Sequence, residues 1–236
     1  MKSLLILLCS VCSVSVFAQL PGGSAAFSEG NPEGLVVGAR VEDWARPVKD
    51  GPRSENFDLI RMLVTAQISP IPGLELWGEG GWNGGELVTE SDGGVTWGLG
   101  LGMAPWRSVR RSDPEWGPRD WVALRFDVAV RGGSSSTDDE DMDWTSYEGR
   151  LGVRWHQRYS MARRGPVYST ALMLEGGVQY TALSVEEASF DGESEQDFGL
   201  YGRVLYHFLP NSFLGLELDW FGTSDRKAGI VAGVTF

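Results

Sequence analysis

The chain has 236 residues, with 20 Lys+Arg against 32 Asp+Glu and a net charge of −12. That length suits one domain or one barrel, and the acidic balance excludes a nucleic-acid partner, which would require a basic face. Glycine (32) and tryptophan (10) are both high while branched and aromatic residues recur throughout, which excludes a disordered chain.

The first residues read as a targeting segment. Lys2 supplies a positive n-region, and residues 4–17 form an apolar run too short to span a bilayer comfortably. Val16-Phe17-Ala18 offers small or branched residues to a signal peptidase, so residues 1–18 are expected to be a signal peptide cleaved before Gln19. Cys9 and Cys12 both fall in this segment. They follow Leu8 and Val11, where a lipidation motif wants a small residue. The mature chain would hold no cysteine and need no disulfide. Residues 19–34 are expected to form a periplasmic segment ahead of a barrel over 35–236. No later stretch is long and apolar enough for a membrane helix, so an exported chain of this kind is either soluble or a barrel.

From Leu35 onward one unit repeats: about ten residues of period-two alternation, then a turn. The segments run over 35–44, 57–68, 74–82, 95–103, 121–131, 144–156, 168–180, 198–208, 213–221 and 227–236. Their length is what a tilted strand needs to cross hydrocarbon, about 9–11 residues. In the fifth, Val122, Leu124, Phe126, Val128 and Val130 share one face, and Ala123, Arg125, Asp127, Ala129 and Arg131 the other. In the ninth, Leu214, Leu216, Leu218 and Trp220 oppose Glu217 and Asp219. A soluble sandwich alternates too. The charges of both signs and the glycines on the polar face favour a filled lumen. The expected fold is an all-β, closed antiparallel up-and-down transmembrane barrel of about ten strands, with eight as the alternative.

An even strand number puts both termini on the periplasmic side. The outward loops are then 83–94, 132–143 and 182–197, rich in acids such as Glu86, Glu90, Asp138, Glu186 and Asp191. The inward turns at 69–73 and 209–212 are short, the asymmetry of outer-membrane barrels. Residues 104–119 are long for an inward turn and have no place in this scheme. Trp82, Tyr180 and Trp220 fall near the outer rim of the lipid face, and Trp155, Tyr206, Phe208 and Phe236 near the inner rim. Amphipathic rings prefer those two depths.

The last segment, Lys227-Ala-Gly-Ile-Val-Ala-Gly-Val-Thr-Phe236, resembles the C-terminal signal of bacterial outer-membrane β-barrel proteins. The resemblance implies that Ile230, Ala232, Val234 and Phe236 are read by the barrel-assembly machinery. It also implies that the mature chain lies in the cell outer membrane among lipid and lipopolysaccharide. In size the chain is similar to the small OmpA/OmpX and opacity-type barrels, which have eight strands.

The inward set is Arg40, Glu42, Arg61, Glu75, Glu79, Arg125, Asp127, Arg131, Glu148, Arg150, Arg154, Glu175, Arg203, Glu217 and Asp219. Its signs nearly balance, as a closed interior requires. Two functions follow from it: a side-chain-filled structural or surface-interaction barrel, or a narrow charge-lined, porin-like channel. A resemblance to the omptin-like proteases or lipid A-modifying hydrolases would require a histidine near the outer rim, close to acids or a serine. His156 and His207 both fall at inner strand ends, so no enzyme is expected, nor any catalytic residue. No cofactor or metal is expected either. Asp139-x-Asp141-x-Asp143 has the spacing of a calcium loop, but Trp144 and Arg150 stand where its glycine and glutamate belong. Gly98, Gly100 and Gly102 lie at period two in a strand with no helix following. They read as small inward residues, not a phosphate loop. Arg107, Arg110 and Arg111 form a basic cluster in the 104–119 stretch. The extracellular partner is left open.

Overall fold

The computed structural model describes residues 35–235 except 72, 87–92, 114–116, 137–140, 162–167, 188–189, 195–196, 210–211 and 223–224. The expected signal peptide with its cleavage near Ala18, the 19–34 segment and Phe236 lie outside the described residues. So do Glu90 and Asp138.

The described chain is all β: β1 (Leu35–Asp50), β2 (Arg53–Ile71), β3 (Leu74–Glu86), β4 (Gly94–Asp113), β5 (Gly117–Ser136), β6 (Asp141–Met161), β7 (Tyr168–Glu187), β8 (Phe190–Ser194), β9 (Phe198–Leu209), β10 (Ser212–Trp220) and β11 (Arg226–Thr235). Every pairing is antiparallel, and β1 pairs with β11 from Val36↔Thr235 to Ala45↔Arg226. The sheet therefore closes on itself through ten strands, β1–β7 and β9–β11. Among the described residues the closed ring has no edge strand, which is the condition for placing a sheet in hydrocarbon. Where the chain turns tightly, glycine supplies the conformation: Gly51 takes φ 56° between β1 and β2, and Gly73 takes φ 81° between β2 and β3.

The period-two pattern sets the two faces of the wall. Ile60, Met62 and Val64 on β2 and Leu214, Leu216 and Leu218 on β10 point outward, Leu218 being 62% exposed. Charged residues of the same strands are buried inside: Arg61 is 0% exposed and Glu217 5%. Exposed aromatics gather toward the outer strand ends (Trp82, Trp97, Tyr147, Tyr180, Phe198, Trp220) and the inner ends (Trp106, Tyr206, Phe208), with Phe126 between the two depths.

Two parts of the wall differ from the sequence expectation. Residues 104–113 and 117–119 are strand, not part of a long inward turn. The backbone of β4 runs on to Asp113 and pairs with β5 as far as Asp113↔Gly117. Register shifts at Met103/Trp106 and between Val109 and Ser112 break the alternation there, which hid the strand. The expected outer loops are likewise shorter, because β3, β5 and β7 continue to Glu86, Ser136 and Glu187. Gly132 and Gly133 look like loop residues, yet a Cβ at Gly132 would press on the Trp97 indole and one at Gly133 on the Trp144 indole. They are strand positions kept small for those rings.

The strand that alternation missed, β8, changes the barrel's girth. It pairs with β7 beyond the point where β9 stops (Ser184↔Glu193 to Glu187↔Phe190) and with β1 beyond the point where β11 stops (Val48↔Ser194, Lys49↔Glu193). The outer end is thus ringed by β1–β7 and β8, eight strands in place of ten. An eight-stranded ring is just narrow enough for side chains to fill it. Here they are apolar: Trp44, Val48, Phe57, Leu59, Met142, Trp144, Leu183, Val185 and Phe190 form one buried cluster. Trp44 and Trp144 meet edge to face, 5.6 Å apart at an interplanar angle of 79°. Beside β8, Asp225 is held to β1 by Arg46, whose Nε donates to Asp225 Oδ2 at 3.0 Å. The same guanidinium lies 4.3 Å over the Phe221 ring and donates from Nη1 to the Thr181 carbonyl.

Phe190→Ala removes the ring that β8 delivers to the apolar cluster. It is expected to destabilise the folded barrel by about 3–5 kcal/mol, read from urea unfolding in phospholipid vesicles; an unchanged midpoint would mean the cluster does not hold the collar. Burial pushes the Asp225 carboxyl up to about 6, with Arg46 working against the rise. A raised carboxyl favours the fold while protonated, so its contribution is full below the ordinary aspartate range and is lost as pH climbs through about 6. The urea midpoint of the unaltered chain should fall between pH 5 and pH 7 relative to that of Asp225→Asn. Parallel curves would refute the link.

Candidate functional site: the charged lumen

Below the apolar collar the interior becomes ionic. Arg40, Arg61, Arg125, Arg131, Arg150, Arg154, Arg203 and Lys227 are paired with Glu42, Glu75, Glu79, Glu148, Glu175, Glu217, Asp127 and Asp219, eight cations against eight carboxylates. Equal numbers among these described residues let the network be neutral without any group giving up its charge.

The pairs form two groups. In the upper one Glu79 accepts from Arg61 Nη2 at 2.9 Å and Arg131 Nε at 2.8 Å, and lies 3.6 Å from Arg40 Nη1. Glu42 accepts from Arg61 Nη1 at 2.9 Å and also pairs with Arg40. Arg150 spans Glu217 at 3.1 Å and Asp219 at 2.7 Å, Arg203 and Arg40 join it on Glu217, and Arg131 pairs with Glu148. Lys227 stands among Glu148 (3.3 Å), Glu42 (3.5 Å) and Asp219 (3.8 Å). In the lower group Arg154 bridges Glu175 (2.6 Å) and Glu75 (3.1 Å), and Arg125 bridges Glu75 (2.8 Å) and Asp127 (2.7 Å). Tyr201 donates its hydroxyl to Glu175 at 3.3 Å.

The ionic layer meets the apolar collar through cation–π contacts. Arg61 lies 5.1 Å from the Trp144 ring and 5.8 Å from that of Trp44, and the Lys227 ammonium lies 4.8 Å from Trp44. The electron-rich underside of the collar thus faces the cations at the top of the network. Room for these side chains comes from β4. A Cβ at Gly98 would strike Glu79, one at Gly100 would fall 2.2 Å from the Trp77 indole, and one at Gly102 would lie 2.4 Å from both Arg125 and Asp127.

Every lumen residue expected from the sequence lies on the inner face and belongs to this network. Alternation does not reveal two further members of the network, Lys227 and Tyr201, or the Arg46–Asp225 pair beside the collar. Lys227 opens the segment that resembles an assembly signal, yet the parity that turns Ile230 outward turns Lys227 inward. Arg46 lies past the point where alternation had ended β1, and Asp225 and Tyr201 follow the same inward parity. Ile230, Ala232 and Val234 are on the outer face, with Ile230 55% exposed. The histidines lie near inner strand ends. His156 stacks on Trp121, 5.0 Å between centroids at 10°, and His207 lies 5.7 Å from the Phe213 ring. Arg107 of the basic cluster lies 5.0 Å over Trp121. Among the described residues no cluster of His, Cys, Asp or Glu is arranged to hold a metal ion.

Between the network and the inner apolar group of Val36, Met173, Leu205 and Phe213 lies a chamber of about 90 Å³. Its walls include Arg40, Gln67, Trp77, Arg125, Asp127, Arg203 and Phe213.

A closed antiparallel sheet that is apolar and aromatic-rimmed outside and ionic inside is a transmembrane β-barrel of the bacterial outer-membrane class. No family model and no curated protein matches the chain. Among solved structures it is similar to the translocator domain of autotransporter NalP from Neisseria meningitidis, at 12% identity and TM-score 0.37 over 100% of this chain and 95% of that one. It is also similar to the beta domain of the Bordetella autotransporter Brka, at 10% identity and TM-score 0.34, covering 87% and 100% of the two chains. An outer membrane channel from Pseudomonas putida F1 aligns at 8% identity and TM-score 0.35, covering 92% and 98%. The class assignment rests on the closed sheet and its inside-out polarity, not on these likenesses.

Glu79→Gln would leave three guanidiniums facing a neutral amide. It is expected to destabilise the barrel by about 3–5 kcal/mol, measured as a lowered temperature for loss of heat-modifiable gel migration together with the urea midpoint. A neutral effect would show that the network is not held by charge.

Proposed function

We propose that this barrel is a closed, non-conducting outer-membrane protein with a structural or surface-interaction role, acting through its outer collar. One observation carries the reading: the lumen is filled twice over, by an apolar plug in the eight-strand collar and by paired charge below it. Ion passage would require parting both layers. The collar's outer surface supports a contact role, because Asp143, Glu186 and Asp191 stand side by side on β6, β7 and β8 and point to water. Like charges directly opposite one another weaken a sheet, so their placement favours a cationic or cation-bridged partner, including lipopolysaccharide.

The outward parity of Ile230, Ala232 and Val234 supports their reading by the barrel-assembly machinery, with Phe236 completing the signal. The ring stacking of His156 and the inner-end position of both histidines favour a barrel without hydrolase activity. The charge-lined chamber favours a second reading, a narrow gated channel. Planar-bilayer recording separates the two. The unaltered barrel should show no steady conductance, while the double variant Trp44→Ala/Trp144→Ala, with the plug thinned, should flicker. Steady nanosiemens-scale openings from the unaltered protein would overturn the closed reading.

A further inference from the structure

Hydrogen-bonding capacity around the lumen chamber is unequal. The named carboxylates on its wall are engaged: Glu75 by Arg125 and Arg154, Asp127 by Arg125, Glu217 by Arg150 and Arg203. Glu79 keeps one oxygen without a hydrogen bond, and that oxygen faces Arg40 Nη1 at 3.6 Å. The donors are less fully used. Arg125 is 1% exposed, yet its Nε and Nη1 have no hydrogen-bond partner, nor do Arg40 Nε and Gln67 Nε2. All three residues line the chamber.

Unmet N–H groups in a low-dielectric space create a positive local potential even where formal charges balance, and charge-assisted bonds from a guanidinium are about twice as strong as neutral ones. About 90 Å³ is room for several waters or one small organic ion. The Trp77 indole gives the chamber one flat wall. Arg131 lies 5.0 Å from that ring, and the absent side chain of Gly100 leaves the space it occupies.

We propose that the chamber is a binding site for one small anion, of halide or short-chain carboxylate kind, held by Arg125, Arg40 and Gln67. Occupancy would satisfy donors the protein leaves open. Because the surrounding formal charges already balance, an added negative charge has no excess cation to neutralise it, and binding is expected to be weak. The site stands whether or not the barrel conducts, since its lining lies below the collar.

The test uses the mature barrel in detergent micelles with two probes: bromide, located by anomalous diffraction, and acetate, titrated calorimetrically. Ala129 lines the chamber without carrying charge, so Ala129→Leu fills the space and leaves the network intact. The expected result is a bromide peak or an acetate heat in the unaltered protein. It should weaken at least tenfold in Ala129→Leu and several-fold in Gln67→Leu, with heat-modifiable migration unchanged in both. If Ala129→Leu does not fold, Gln67→Leu alone carries the comparison. A chamber that holds water only under both probes overturns the proposal, and so does equal binding by unaltered and substituted proteins.

Discussion

A narrow barrel in hydrocarbon turns the usual protein inside out, and its charges then have nowhere to go but against one another. That constraint governs most of the lumen. An ion removed from water costs several kcal/mol unless a partner and further hydrogen bonds replace its hydration. The partners here come from across the ring as well as from neighbouring strands. Arg150 on β6 reaches Glu217 and Asp219 on β10, and Arg40 on β1 reaches Glu79 on β3 and Glu217 on β10. Such pairs are cross-braces. A wall held only by backbone bonds between neighbours gains ties through its centre, and those ties resist flattening as well as slippage of register.

The outer end solves the same filling problem with a different chemistry. Once β8 replaces β9–β11 in the ring, the interior narrows and no longer needs long charged side chains to reach its axis. Aromatic and aliphatic groups fill it and lock by contact. This part of the wall also lies beyond the exposed apolar band on β6 and β7, where outward residues change from Leu151 and Val178 to Asp143 and Glu186. The collar is therefore built like a soluble barrel, apolar within and polar without, stacked on a membrane barrel of opposite polarity. Arg61 and Lys227 join the two cores, because an ammonium or guanidinium can pair with carboxylates on one side and lie against indoles on the other.

Alternation made the membrane-spanning part legible. Where one face meets lipid and the other meets packed charge, every second residue is constrained, and the inner face of β2, β5, β6 and β10 can be read directly from Arg61, Arg125, Glu148 and Glu217. The collar was not legible, for the same physical reason. There both faces change character: the inside turns apolar and the outside polar, so a membrane pattern seems to end where the strand in fact continues. Trp44 closed the first segment for this reason, and Arg46 and Val48, both fully inside, were lost with it. The strand β8 is only five residues long and lies in an acidic stretch that reads as solvated loop. Bulges concealed the inner ends of β4 and β5 by shifting the phase of the pattern.

The glycines of β4 connect these levels. Gly98, Gly100 and Gly102 share the inner face, and in isolation they weaken a strand, since glycine loses more conformational freedom on folding than any other residue. Each yields its volume to a bulkier neighbour. Gly98 admits the Glu79–Arg131 pair, Gly100 admits the Trp77 indole, and Gly102 admits Arg125 with Asp127. Long side chains can cross a ten-strand lumen only if some wall positions are empty, and β4 provides them in a row. The cost of glycine is thus local to one strand, while the cross-bracing it permits extends to β2, β3, β5 and, through Glu75 and Arg154, to β6.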